Sequence, residues 1–285
     1  MSNKSKTIIT MLIYFLIPIL ASLFLKYVMG YTLSSTNIKA IAYYNIALDI
    51  IFFVIILLIN KDIIKNRVKF KDKNEFFKLL VLYTALFFVL KIISAIYIAV
   101  VSFLFGIEIT DPNNQEMIIE LFKQFPISMI ITGAFLVPVT EELIFRGSIK
   151  RVINNKKLFI VISGLTFGLV HVFRYDFLIL IILIYGVILD MIITSKIDKG
   201  KKIKLSIIST LLMVFVMLSL IHILSGDLIK YIITIDPVEA LNSIVYIAGG
   251  VYLAYIYQKY DNIYLNIGCH MLNNFISYML LFTKI

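Results

Sequence analysis

The sequence predicts an all-α fold: a polytopic bundle of transmembrane helices with about eight or nine spans. Three observations carry this. Of 285 residues, 61% are hydrophobic and only 15% charged, against roughly 45–50% and about 25% in soluble domains, and the mean hydropathy is +0.97. The apolar residues form continuous runs instead of alternating with polar ones, which favours helices over a transmembrane barrel. The connectors between the runs alternate in charge. The composition excludes a disordered chain or an ordinary soluble enzyme, because so apolar a surface would aggregate in water.

The runs lie at residues 8–28, 41–60, 79–105, 127–146, 158–174, 177–195, 205–225, 239–258 and 262–282. A helix needs about 20 residues to cross the hydrocarbon core, within a working range of ~17–25, so all nine are candidate spans and 158–174 is the shortest. The first run follows Met-Ser-Asn-Lys-Ser-Lys. It is too long for a signal-peptide core and no small-x-small cleavage site follows, so it reads as a first span with the N-terminus in the cytoplasm.

The connectors explain the net charge of +10. Residues 61–78 carry Lys61, Lys65, Arg67, Lys69, Lys71, Lys73 and Lys78; residues 146–157 carry Arg146, Lys150, Arg151, Lys156 and Lys157; residues 196–204 carry Lys196, Lys199, Lys201, Lys202 and Lys204. The connector at 106–126 is acidic, with Glu108, Asp111, Glu116 and Glu120 against Lys123. This is the positive-inside pattern, and it places the basic connectors in the cytoplasm. Topology and anionic lipid account for the positive charge, so no nucleic-acid partner is implied. The single cysteine, Cys269, excludes an intramolecular disulfide and reads as a small buried residue on a membrane helix.

Ionisable groups inside membrane helices are costly and need a partner, a cavity or a task. The fourth run ends in Thr140-Glu141-Glu142-Leu143-Ile144-Phe145-Arg146. Glu142 and Arg146, four apart on a helix, face each other and can neutralise one another. Glu141 is rotated by about 100° from that pair and is the carboxylate left for base work. In Phe167-Gly168-Leu169-Val170-His171, Phe167 and His171 share a face, while Gly164 and Gly168 thin the helix so that a neighbour can approach. In the last run, His270 and Asn274 point the same way. Histidine and carboxylate activate water, directly or through zinc, and asparagine can donate to a developing oxyanion. Together the three sites describe hydrolysis of an acyl bond inside the membrane.

Glu-Glu-x-x-x-Arg at 141–146, Phe-x-x-x-His at 167–171 and His-x-x-x-Asn at 270–274 resemble, in this order, the motifs of the CPBP intramembrane protease family. That family includes type II CAAX prenyl endopeptidases and bacterial relatives linked to abortive infection, bacteriocin immunity and peptide maturation. The stretch from Gly249-Gly250-Val251-Tyr252 to Asn262-Ile263 also looks like the family's approach to its last motif, so the resemblance covers about residues 125–280. It implies an intramembrane endopeptidase acting on a peptide or a lipidated, CAAX-like protein near the membrane. Glu141 would be the base, supported by Glu142 and Arg146. His171 and His270 would bind or polarise the water or a metal, and Asn274 would stabilise the oxyanion. The metal would be Zn2+ held by His171 and His270, with Glu141 available as a third ligand; a metal-free glutamate mechanism is the other course.

Two departures from the family pattern stand out. His171 and His270 are separated by about two extra spans, and His222, which lacks the phenylalanine four residues earlier, competes with His171 for the second motif. Counting depth from the flanking polar residues, Glu141, His270 and His171 lie at about 8, 12 and 21 Å from the cytoplasmic ends of their helices, so tilt or offset must bring them level. The expected organisation is residues 1–124 as N-terminal transmembrane helices and residues 125–285 as a protease core with a two-span insertion near 176–225. The protein is expected in the plasma membrane, with its site open to the cytoplasm. The competing class is a non-catalytic membrane immunity or scaffold protein that keeps the protease fold.

Overall fold

A computed structural model describes residues 2–27, 38–65, 70, 72–108, 113–171, 176–225 and 237–283. The described residues form helices α1 (Asn3–Tyr27), α2 (Ile38–Ile59), α3 (Lys61–Lys65), α4 (Lys73–Phe105), α5 (Asn113–Gln124), α6 (Pro126–Ser148), α7 (Lys156–Val170), α8 (Asp176–Thr194), α9 (Lys199–Ser225), α10 (Pro237–Tyr260) and α11 (Ile263–Phe282), with no strand among them. The described part of each of the nine apolar runs lies largely on a helix. Five segments, Ala42–Ile59, Lys73–Phe105, Pro126–Ser148, Lys199–His222 and Pro237–Tyr260, are long and apolar enough to cross a membrane by length and composition; the apolar part of α8, Ile179–Thr194, is shorter. The acidic connector, read from sequence as a loop, contains the amphipathic helix α5, which buries Leu121 and Phe122.

The helices gather into two compact units. The first comprises Met1–Leu90, Asn113–Arg151 and Ile256–Ile285; the second comprises Lys91–Pro112 and Val152–Tyr255.

In the first unit α6 is the central element, packed by α1, α2 and α11. Residues 140–149 are buried without a break, as expected of a helix surrounded on all sides. Leu143, Ile144 and Phe145 are fully enclosed, and the Phe145 ring meets Tyr14 edge-on at 5.6 Å. α6 carries two π-helical stretches, Ile130–Leu136 and Leu143–Ser148. The first has a local cause. Pro138 has no N–H and its ring crowds the preceding turn, and the chain widens just before it, with the Val137 N–H donating to the Thr132 carbonyl five residues back. The next carbonyl in that series, of Gly133, would need an N–H from Pro138 and receives none.

The second unit contains α7, α8 and α9 with most of α10. α7 begins at Asn155, whose side chain accepts from the Leu158 N–H at 3.0 Å. Asp190 of α8 holds this start by accepting from the Asn155 N–H at 2.7 Å and the Asn154 amide at 3.3 Å. α7 and α10 meet backbone to backbone. A Cβ on Gly164 would lie 2.8 Å from the Val251 Cα, and one on Gly168 2.5 Å from the Ile247 Cα, so the two glycines admit the neighbour as the sequence predicts. On α9, Leu211 and Phe215 are 65% and 68% exposed, as suits a lipid-facing helix.

Beside the end of α2, Asp62 pairs with Lys6 at 3.0 Å and Arg151 at 2.6 Å. Burial acts to raise the Asp62 pKa, but the hydrogen bonds from Lys6 and Arg151 and the Arg151 charge outweigh it and hold the carboxyl below its usual range. A group depressed in the folded state contributes stability that is complete above its unfolded pKa and is lost as pH falls through the folded value. Thermal unfolding in detergent should therefore show a drop in stability below pH ~4 that is smaller in Asp62→Asn. The difference should stay under ~1 kcal/mol because the carboxylate is partly exposed.

Candidate active site

α11 starts at Asn262, whose side chain caps the Leu265 N–H at 3.1 Å. This start sets Asn266, His270 and Asn274 on one stripe, four residues apart. The stripe faces α6. Glu142 lies fully buried, ion-paired with Arg146 Nε at 3.2 Å and accepting from the Asn266 amide at 3.2 Å and His270 Nδ1 at 2.9 Å. The expected Glu142–Arg146 pairing is present, with both side chains at zero exposure. A buried ion pair needs further hydrogen bonds to offset its desolvation, and Asn266 and His270 supply them.

The arrangement assigns the His270 tautomer. The Glu142 carboxylate, braced by an arginine, accepts, so Nδ1 must carry the proton and donate to it. The opposite pole, Nε2, then faces Glu141 Oε2 at 3.6 Å. That is longer than a direct hydrogen bond, and a water seated beside both atoms would reach each of them. Glu141 is 8% exposed. Helix packing thus removes the offset in depth expected between Glu141 and His270.

Asn274 occupies the carbonyl that Pro138 leaves: its amide donates to the Gly133 oxygen at 3.0 Å, and its own oxygen accepts from Asn273 at 3.0 Å. A carboxamide has a second N–H. Cys269 is buried, with Sγ 3.9 Å from the Leu80 carbonyl.

His171 belongs to the second unit and stands just after the last residue of α7. Its Nδ1 donates to the Phe167 carbonyl at 2.7 Å, and its ring stacks on Tyr246 at 4.9 Å. The Phe167 ring lies 4.8 Å away, so the two share a face as expected. The backbone bond at Nδ1 makes Nε2 the accepting pole, an orientation used by histidines that bind metals or water. His222, near the end of α9 in the same unit, has an exposed side chain.

Two site residues went unnoticed in the sequence. Asn266 lies four before His270, and the spacing rule that picked out Asn274 would have found it. Asp49, a lone acid in the second apolar run, interacts electrostatically with Glu141 and Tyr278; the cost of a charge at such a place was its signal.

A zinc ion in a catalytic site takes three protein ligands. Among the described residues no three His, Cys, Asp or Glu side chains are grouped to hold a metal. In the first unit the donors at hand are Glu141 and His270, since Nδ1 of His270 and Glu142 are already bonded to each other. The described donor set does not complete such a site.

A polytopic helical membrane protein with a buried carboxylate–histidine centre on two packed helices is the class these features define. The chain matches the type II CAAX prenyl endopeptidase Rce1-like family over residues 123–208 and 192–276. The matches span more than half of the 285 residues, and the protein belongs to this family within the CPBP group, a family of membrane proteases. No curated protein and no solved structure matches.

Proposed function

We propose that the protein is an intramembrane endopeptidase that cleaves a peptide bond in a membrane-associated or lipidated, CAAX-like substrate using a water activated by Glu141. The observation that carries this is the placement of Glu141 beside Nε2 of His270, on a ring held in one tautomer by the buried Glu142–Arg146 pair. In this reading Glu141 takes a proton from water as the oxygen attacks the scissile carbonyl. The negative charge that develops on the carbonyl oxygen accepts from the second amide N–H of Asn274. Glu141 then returns the proton to the departing amine, so that atoms and charge balance. His270 orients the water, and His171, with Nε2 as its accepting pole, is the second-motif histidine. The site opens to the cytoplasm of the plasma membrane, a reading supported by the basic connectors.

The test is cleavage of prenylated and unprenylated peptides by the full-length protein in liposomes, comparing wild type with His171→Ala and His222→Ala. His171→Ala should lower the rate by ~10²-fold or more, and His222→Ala should leave it near wild type. Loss with His222→Ala alone would reassign the second motif. Loss on chelation, restored by zinc, would replace the metal-free course.

A further inference from the structure

The glutamate-bearing helix is gripped at its far end by helices that lie outside the family match. Ser148, the last residue of α6, is fully buried, and its hydroxyl lies 3.0 Å from the Leu143 carbonyl and 3.2 Å from Oδ1 of Asn60. Its own carbonyl accepts from the Thr7 hydroxyl of α1 at 2.9 Å. Asn60, just past α2 and also fully buried, donates to the Thr10 hydroxyl at 3.1 Å and the Ile56 carbonyl at 2.9 Å. It accepts from Ser148 and, at 2.5 Å, from Arg151. Two donors and two acceptor sites are the full capacity of a carboxamide; both Asn60 donors are used, its oxygen accepts from Arg151, and the single Ser148 proton is shared between that oxygen and the Leu143 carbonyl. A buried network whose groups are engaged in this way specifies one arrangement of the elements that meet in it.

What the network holds is unusual. Residues Leu143–Ser148 are π-helical, and the Ser148 hydroxyl reaches back five residues to Leu143, the π spacing. π-turns are rare and gather at functional sites. If this one relaxed to α-helix, residues on either side would shift by one position, about 1.5 Å of rise and 100° of turn. Glu141 and Glu142 lie immediately before the stretch. A misplacement of ~1 Å in a reacting group can cost ~10²-fold in rate.

We infer that Asn60 and Ser148 are positioning residues, a lock contributed by the N-terminal helices that holds the π-turn of α6 and thereby the register of the glutamates against His270. The consequence for catalysis rests on the role proposed for Glu141; the consequence for the helix does not. The lock also makes Thr7, Thr10 and Asn60, outside the matched range of 123–276, part of what positions the glutamates.

The experiment uses the full-length protein in liposomes with two readouts, amide hydrogen exchange over residues 140–150 and kcat against KM on a cleaved peptide. Asn60→Ala, Ser148→Ala and the double variant form one cycle; Ser148→Thr and Ser148→Val form a pair of equal size that differs in the hydroxyl. Each alanine variant should speed exchange about tenfold and lower kcat at unchanged KM, and the double variant should be no worse than the worse single one. Ser148→Thr should keep both properties where Ser148→Val loses them. Multiplying effects in the double variant, or equal behaviour of Thr and Val, would overturn the lock. If the wild type cleaves no peptide, the proposed activity fails, while the exchange data still decide whether the turn is held by Asn60 and Ser148.

Discussion

Glu141→Gln should lower peptide cleavage by about 10³-fold and leave the protein folded. Glutamine keeps the volume and one carbonyl oxygen of the side chain but cannot take a proton from water at neutral pH. General-base catalysis contributes typically 10²–10⁴-fold, so kcat should fall by ~10³-fold while KM stays within about threefold. Thermal unfolding should be little changed, since the substitution leaves Glu142 and its contacts with Arg146, Asn266 and His270 in place. A variant that kept full biological activity without cleaving would remove the enzyme reading and leave a membrane protein that keeps a protease fold for binding, whereas full cleavage by the variant would remove Glu141 as the base.

The second large effect falls on stability. Arg146→Leu strands a carboxylate at a place with no solvent exposure, and breaking one side of a buried pair costs about 3–5 kcal/mol. Detergent-solubilised protein should unfold at a markedly lower temperature or fail to accumulate. The double variant Glu142→Leu with Arg146→Leu should recover most of this loss, because replacing both partners with apolar groups removes the stranded charge. It should nonetheless stay inactive, since Nδ1 of His270 then loses the acceptor that sets its tautomer. Recovery of cleavage together with stability would show that Glu142 is a packing residue and not the group that orients His270. Unfolding curves and single-turnover rates on the same preparations separate the two outcomes.

Much of this site could be read from spacing along the chain. Glu142 and Arg146 lie one helical turn apart on an apolar background, and such a pair has few other solutions in lipid. Gly164 and Gly168 mark a thinned face, and the backbone of α10 lies against it. The same rules did not expose the π-turns of α6, because they arise from where carbonyls find donors, and a five-residue reach is settled partly by other helices. Asn60 and Thr10 read as unremarkable polar residues at the margins of apolar runs; their importance comes from meeting Ser148, 88 positions after Asn60. The approach of Glu141 to His270 was likewise hidden, since the depth of a residue along its own helix says little about how far two helices slide past one another.

The sequence alone decides the helical class, the apolar runs, the charge of the connectors and the face each helix presents, because these follow from hydrophobicity and a 3.6-residue period, which act within one segment. Packing between helices decides which of those faces meet. It sets Glu142 between Arg146, Asn266 and His270, gives Glu141 to the other side of the imidazole, and assigns Asn274 to the carbonyl orphaned by Pro138. Apart from the Glu142–Arg146 pair, these contacts join residues more than a hundred positions apart, and they exist because buried polar groups, once out of water, are stable only where another part of the chain can satisfy them.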